Sequence, residues 1–171
     1  STFFADGVVA HVTFADPLCP ELRKHLIQSG RKVGATVHEK GTYICMEGPQ
    51  FSTRAESNLY RQWGMDVIGM TNLQEAKLAR EAEICYATIA LSTDYDCWHE
   101  THEDVTIDEI LEVLKKNVET AKSMIRETVV RLSEERPCGC VSAMKNAILT
   151  DRRLIPVETK KRLDLWKTYS Q

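Results

Sequence analysis

An aromatic–hydroxyl pair, Phe51-Ser52, follows a Glu47-Gly48-Pro49 turn, and a second polar group, Thr93-Asp94-Tyr95-Asp96, follows the apolar run Ile84 to Leu91. Between them lies Gly69-Met70-Thr71. An aromatic face packs against a flat ring. Hydroxyls and main-chain amides hold an anion. A carboxylic acid can stabilise or protonate a departing group when burial raises its pKa. The set suits a pocket that takes a flat heterocycle, a sugar and an anion side by side.

Each group also has a plain structural reading. Phe51 alone is accounted for as a core residue, and Asp94 and Asp96 can make an Asx-turn or cap the next segment. Met70-Thr71 serves equally as packing followed by a helix start. His11, within an apolar stretch, fits a hydrogen-bonded core histidine. The cluster His99-Glu100-Thr101-His102-Glu103-Asp104 lacks the H-E-x-x-H spacing of a helical metal site and reads as a solvated loop.

The elements that must position these groups alternate between strand and helix. Gly7 to Phe14 reads as a strand. Pro20 opens a helix with Leu22, Leu26 and Ile27 on one face, closed by Gly34. Ala35 to Met46 reads as a hairpin turning at Lys40-Gly41. A helix runs from Thr53 to Trp63 and stops at Gly64, Asp66 to Met70 is a short strand, and Asn72 caps a helix from Leu73 to Glu81. Ile84 to Leu91 has the composition of a strand covered on both faces. Thr106-Ile107-Asp108-Glu109 forms a capping box. Behind it, apolar residues from Ile107 to Leu132 recur at helical spacing, predicting one long helix to about Glu135. Short helices are expected at Ala143 to Leu149 and Val157 to Trp166. The order predicts an α/β fold, a mixed twisted sheet flanked by helices, in a single domain over 1–171. Polar groups directly after strands stand where open α/β sheets bind ligands.

Composition narrows the function classes. The chain has 171 residues, 43% hydrophobic and 27% charged, enough for a buried core. A net charge of −3 with interleaved signs argues against a nucleic-acid binder. No apolar run reaches the roughly 20 residues that span a bilayer, and Ser1 to Asp6 does not resemble a signal peptide, so a cytoplasmic location is expected. Of six cysteines, Cys19, Cys45, Cys85 and Cys97 are scattered and read as small hydrophobes. Cys138-Gly139-Cys140 is read as plain thiols, with a strained disulfide as the alternative. A lone C-x-C is a poor zinc signal.

In order and spacing the chain resembles the methylthioadenosine phosphorylases of the trimeric purine nucleoside phosphorylase family, in their C-terminal portion. The resemblance rests on Ala10-His11-Val12, Asp16-Pro17-Leu18-Cys19-Pro20, Glu47 to Ser57, Trp63 to Thr71 and Thr93 to Trp98. It implies phosphorolysis of methylthioadenosine to adenine and methylthioribose 1-phosphate, with phosphate as co-substrate, no organic cofactor or metal, and a homotrimer. Breaking the N-glycosidic bond builds positive charge on the ribose, which phosphate stabilises, and negative charge on the purine.

By the same resemblance, Asp94 and Asp96 are the catalytic acids, Asp94 meeting the base with Thr93 in support. Phe51 packs on the purine and Ser52 lies at its edge, while Met70 contacts the ribose and Thr71 binds phosphate. Ile107, Ile110 and Leu111 line the methylthio pocket, and His11 reaches a neighbouring subunit's site. Ser52 and Asp94 stand where 6-oxopurine relatives carry Glu and Asn, which implies preference for 6-aminopurines. The Gly-rich phosphate loop and Arg-His element of the family have no match here. The expectation is therefore of strands absent at the N-terminus and a complementary N-terminal chain as partner. A 6-oxopurine phosphorylase and a non-catalytic nucleoside-binding module are the competing readings.

Overall fold

Helix starts are set locally, and five of the six expected helices begin within a residue of where the sequence places them. The computed structural model describes residues 1–99 and 107–163, with backbone only for 107–110. Helix α1 spans Pro20–Lys32, α2 Arg54–Gln62, α3 Leu73–Glu81, α4 Ile107–Val129 and α5 Val157–Leu163. Thr53 caps α2 through a capping box with Glu56. The Thr53 hydroxyl accepts from the Glu56 amide, and the Glu56 carboxylate accepts from the Thr53 amide at 2.7 Å. Gly64, at φ 76°, ends the helix in a left-handed conformation that favours glycine.

The strands depart from expectation. Strand β1 (Tyr43–Cys45) pairs in parallel with β2 (Val67–Gly69), with Tyr43 opposite Val67 and Cys45 opposite Gly69. Residues 35–46 thus form no hairpin. Thr42 and Asp66 hold the start of the parallel pair instead: the Thr42 amide donates to the Asp66 carboxylate at 2.6 Å, and the Asp66 amide to the Thr42 carbonyl at 2.9 Å. The chain crosses from β1 to β2 through α2, a βαβ connection. Gly69 is required here, since a Cβ would stand 1.9 Å from the Tyr43 hydroxyl.

Two further expected strands do not form. Residues 7–14 contribute a single antiparallel bridge, Ala10 to Ile148. Ile84 to Leu91 builds no strand, and both Ile84 and Leu91 are exposed. A strand needs a repeating ladder with a neighbour, and the backbone bond from the Cys19 amide to the Tyr86 carbonyl at 2.7 Å does not extend into one. Similarly, Ala143 to Leu149 is a chain of turns rather than a helix, following a 3₁₀ turn at Gly139–Ser142. Helix α4 ends at Val129, short of Glu135, because the Arg131 and Leu132 amides turn back to the carbonyls of Thr128 and Val129. Its expected cap, Thr106, lies outside the described residues, as do the end of α5 at Trp166 and Glu100 to Asp104.

The chain divides into two compact units, each assembled from separated stretches. The first comprises Ser1–Arg23, Leu73–Ala87 and Ser133–Gln171. Its core joins Phe4 and Val8 to Met144, Ala147, Ile155 and Leu163. Buried Glu81 secures the N-terminal residues, accepting from the Thr2 hydroxyl at 2.8 Å and the Phe3 amide at 2.7 Å. Arg80 binds the carbonyls of Thr13, Asp16 and Pro17.

The second unit comprises Lys24–Asn72 and Thr88–Leu132. Gly30 of α1 lets Met124 of α4 approach; a Cβ there would stand 3.0 Å from the Met124 methyl and 2.6 Å from Val37. Glu127 of α4 bridges Lys32 at 2.7 Å and Arg131 at 2.8 Å. The apolar stripe of α4 has the expected spacing, yet Leu111, Leu114, Val118, Ile125 and Val129 are exposed. Periodicity reports that a face is apolar and not which surface covers it. No helix among the described residues is long and apolar enough to cross a membrane.

Candidate functional site

The two polar groups that follow separate segments of the second unit meet through one side chain pair. Ser52 donates to the Asp96 carboxylate, at 2.9 Å to Oδ1 and 2.8 Å to Oδ2. Two more contacts tie the same segments: the Cys97 thiol faces the Ser52 carbonyl at 3.4 Å, and Arg54 donates to the Cys97 carbonyl at 2.6 Å. Within the loop, the Cys97 amide donates to Asp96 Oδ1 at 2.9 Å. The loop bearing Asp94 and Asp96 is thereby fixed to the start of α2.

Burial alone would push the half-buried Asp96 carboxyl up. Hydrogen bonding outweighs it: the Ser57 hydroxyl dipole, the Cys97 amide, Ser52 and the Cys97 thiol together hold the group below the usual carboxylate range. The Ser57 hydroxyl is almost fully buried and has no partner at strict hydrogen-bond geometry, so its influence on Asp96 is that of an oriented dipole. Ser57 was not among the residues singled out from sequence. Its position one turn into α2 on the buried face was the available signal.

The remaining expected residues fall as follows. Phe51 projects into solvent, 84% exposed, and packs in no core. Thr93 donates to Asp94 at 2.5 Å, and both are exposed. Met70 is half-buried against the Gly48 turn, where a Cβ would lie 2.6 Å from its sulfur. Thr71 is exposed, and its carbonyl accepts from the Cys45 thiol at 2.9 Å. The Met46 amide bonds the Gly69 carbonyl at 2.9 Å, continuing the β1–β2 pairing toward Met70. Leu111 is 56% exposed, and the side chains of Ile107 and Ile110 lie outside the described residues. His11 belongs to the first unit and is exposed, its amide bonded to the Ala147 carbonyl at 2.8 Å. It is not the buried core histidine of the plain reading.

Beside Asp96 stands an aromatic group that sequence reasoning did not assemble. Tyr95 stacks on His99 with ring centroids 4.4 Å apart, and Trp98 meets both edge-on. The Arg61 guanidinium lies 3.4 Å above the Trp98 ring, a cation–π contact that links α2 to this loop a second time. A shallow concavity lined by Val33, Lys116, Glu119, Thr120 and Ser123 contains none of the expected site residues.

The six cysteines are free thiols. Cys19 and Cys85, read from sequence as scattered small hydrophobes, instead converge on Cys138 and Cys140 in the first unit. The chain separates these residues widely, so spacing alone could not reveal the convergence.

The geometry agrees with what comparison with known proteins shows. Residues 1–130 match the model of the phosphorylase superfamily. The chain is 63% identical over 165 residues to the S-methyl-5'-thioadenosine phosphorylase of Geobacter sulfurreducens, covering 96% of this chain and 58% of that protein. It is 58% identical to the enzyme of the same description from Koribacter versatilis, covering 96% and 56%. A methylthioadenosine phosphorylase from an antarctic soil metagenomic library superposes with a TM-score of 0.90 at 49% identity, over 96% of this chain and 58% of that one. A mutant of the Schistosoma mansoni adenosine/methylthioadenosine phosphorylase, solved with methylthioadenosine, superposes with a TM-score of 0.69 at 34% identity, over 75% and 49%. The chain thus spans a little over half the length of the relatives it matches. With a match over residues 1–130 and the nucleoside phosphorylase fold of its structural neighbours, the chain belongs to the phosphorylase superfamily.

Proposed function

We propose that this chain takes part in the phosphorolysis of 5'-methylthioadenosine to adenine and 5-methylthioribose 1-phosphate. The observation that supports the reading is the Ser52–Asp96 bond, which ties the segment bearing exposed Phe51 to the loop bearing exposed Asp94. Relatives sharing up to 63% of its residues are described as S-methyl-5'-thioadenosine phosphorylases, which supports the substrate. Solved Schistosoma mansoni relatives are described in complex with methylthioadenosine, adenine or tubercidin.

Within this proposal the two aspartates divide the work. Asp96, held ionised by its hydrogen bonds, fixes Ser52 at the purine edge. Asp94, exposed and bonded by Thr93, meets N7 and the exocyclic amine of the base. Phe51 packs on the purine, Met70 on the ribose, and Thr71 contributes to the phosphate site. Ile107, Ile110 and Leu111 line the methylthio pocket. A developing negative charge on the purine is stabilised only by donors aimed at it, and an acid at Asp94 suits a 6-amino base.

The chemistry on the phosphate side needs more donors than Thr71 supplies. We place them in the part of the relatives' length that lies outside this chain, with the assembly a cytoplasmic homotrimer in which His11 serves a neighbouring subunit. The exposed apolar stripe of α4 is a surface that such partners would cover. No metal or organic cofactor enters the reaction. Its place is in purine and methionine salvage.

Adenine release from methylthioadenosine, with and without phosphate, tests the reading on the chain combined with its complementary portion. Phosphate-dependent release is expected. Turnover of inosine in preference to methylthioadenosine would replace it with a 6-oxopurine phosphorylase, and binding without turnover would reduce it to a nucleoside-binding module.

A further inference from the structure

Four of the six cysteines meet at one point in the first unit. The sulfurs of Cys19, Cys85, Cys138 and Cys140 all lie within 4.8 Å of one another, with Cys85 and Cys138 at 3.3 Å. Cys19 is 1% exposed, and Cys138 and Cys140 are also buried. Packing alone has no need to aim four sulfurs at a common centre, because a buried cysteine behaves as a small hydrophobe indifferent to sulfur neighbours.

The dimensions are those of a metal centre. A zinc–sulfur bond of about 2.3 Å puts the corners of a tetrahedron roughly 3.8 Å apart, inside the observed spread. Three separated stretches supply the corners. Cys19 precedes α1, Cys85 follows α3, and Cys138 and Cys140 flank Gly139 at the entry to the 3₁₀ turn. The backbone around them is held independently of the sulfurs. The Cys19 amide donates to the Tyr86 carbonyl at 2.7 Å, Arg136 to the Glu83 carbonyl at 3.0 Å, and the Met144 amide to the Glu83 carboxylate at 2.9 Å.

Amides also face the sulfurs. Leu22 N–H points to Cys19 Sγ at 3.5 Å, and the Cys140 amide hydrogen-bonds Cys138. Such amide donors stabilise thiolates that share a divalent cation and orient them toward it.

We propose that Cys19, Cys85, Cys138 and Cys140 form a structural tetrathiolate site for Zn²⁺, which clamps together the three stretches of the first unit. Four protein ligands leave no open position, so the ion is structural and takes no part in the reaction. Each coordinating thiol releases its proton to solvent as its Zn–S bond forms, and the metal stays divalent, so no oxidant or reductant is required. The site stands apart from the phosphorolysis proposal, since none of the residues assigned to that reaction is a ligand.

The test uses the full 171-residue chain, reduced and freed of metal with a chelator, then titrated with Co²⁺ and with Zn²⁺. One equivalent is expected to bind, giving the thiolate charge-transfer and tetrahedral ligand-field bands of cobalt, which Zn²⁺ then displaces. In the zinc form Cys19, Cys85, Cys138 and Cys140 should react with a thiol reagent far more slowly than in the chelated form, while the rates of Cys45 and Cys97 stay unchanged. Cys138→Ser should weaken binding by more than the roughly 100-fold that loss of an outer-shell partner costs. Cys45→Ser should leave metal binding unchanged. Thiol counting on the unsubstituted chain reads the site even where a cysteine variant fails to fold. Equal reactivity of all six thiols with and without Zn²⁺ would overturn the proposal. So would an intact mass of the unreduced protein lower by two hydrogens per bridge at these positions, because bridged sulfurs cannot serve as four thiolate ligands.

Discussion

Removing the Ser52 hydroxyl should loosen the loop that carries both aspartates, and the size of the effect follows from what the hydroxyl touches. Ser52 donates to a half-buried carboxylate, at 2.8 Å and 2.9 Å to its two oxygens. Hydrogen bonds to charged groups contribute about 1.5–3 kcal/mol. Ser52→Ala should therefore destabilise the chain by about 2 kcal/mol. Asp96→Ala should cost somewhat more, because it also strips the Cys97 amide of its acceptor and leaves the buried Ser57 hydroxyl with nothing to polarise.

The double variant separates a true interaction from two independent losses. If the bond is what braces the loop, Ser52→Ala adds little once Asp96 is gone, and the coupling is at least about 1 kcal/mol. Urea unfolding followed by Trp fluorescence and circular dichroism reads the cycle. With a denaturant slope of roughly 1–3 kcal/mol per molar, each single variant should move the midpoint by about 1 M. The coupling also has a pH signature. The folded carboxyl is held below its ordinary value of 3.8. Its contribution is therefore complete above that value and is lost as pH falls through the lower, folded pKa. Strictly additive variants at neutral pH, or a coupling that grows on acidification, would refute the reasoning.

Three more perturbations test neighbouring parts. Gly48→Ala forces a side chain into a left-handed turn at φ 72° and against the Met70 sulfur, 2.6 Å from the new Cβ. The backbone term is about 1–2 kcal/mol and overpacking adds about 1–3 kcal/mol, so a fall in thermal stability of the second unit is expected by calorimetry. Thr53→Ala removes the cap of α2 and should cost about 1 kcal/mol. It should also raise hydrogen exchange at residues 54–57. In the parent chain the Thr53 amide and hydroxyl hold Glu56 below its ordinary carboxylate range, so protection of the same amides, taken relative to their intrinsic exchange, should be lost only as pH falls through that lowered value. Asp94→Asn, in the chain combined with its complementary portion, should depress methylthioadenosine turnover much more than inosine turnover; an unchanged ratio of the two rates would remove Asp94 from the base.

Helices were legible because their signals are local. Pro20, the Thr53–Glu56 pair and Gly64 each act within one turn, and the helices begin and end beside them. Strands were not, because a strand is a property of two segments. Tyr43–Cys45 and Val67–Gly69 found each other and became β1 and β2. Ile84 to Leu91 has stronger strand composition than either, yet its backbone bond at Tyr86 to Cys19 does not extend into a strand ladder. The same divide separates the visible from the invisible in the site. Phe51, Ser52 and the aspartates could be picked out by type and by the motifs around them. The Ser52–Asp96 bond, the Arg61–Trp98 contact and the meeting of four cysteines are pairings across long stretches of chain that no periodicity encodes.

That divide explains why two aspartates of the same short motif have such different surroundings. Asp96 accepts from Ser52 and from the Cys97 amide, and the buried Ser57 dipole adds to both. With its lone pairs committed, its carboxylate gains by staying ionised and resists accepting a proton. A group so anchored is suited to holding geometry and poorly suited to exchanging protons with a substrate. Asp94, two residues earlier at a bend, is exposed, and among the described residues it accepts from the Thr93 hydroxyl alone. The braced carboxylate keeps the loop in place, so that a base meeting Asp94 as proposed would not first have to order it. The ordering cost of the loop is met in folding, through Ser52, Cys97 and Arg54, before any substrate arrives.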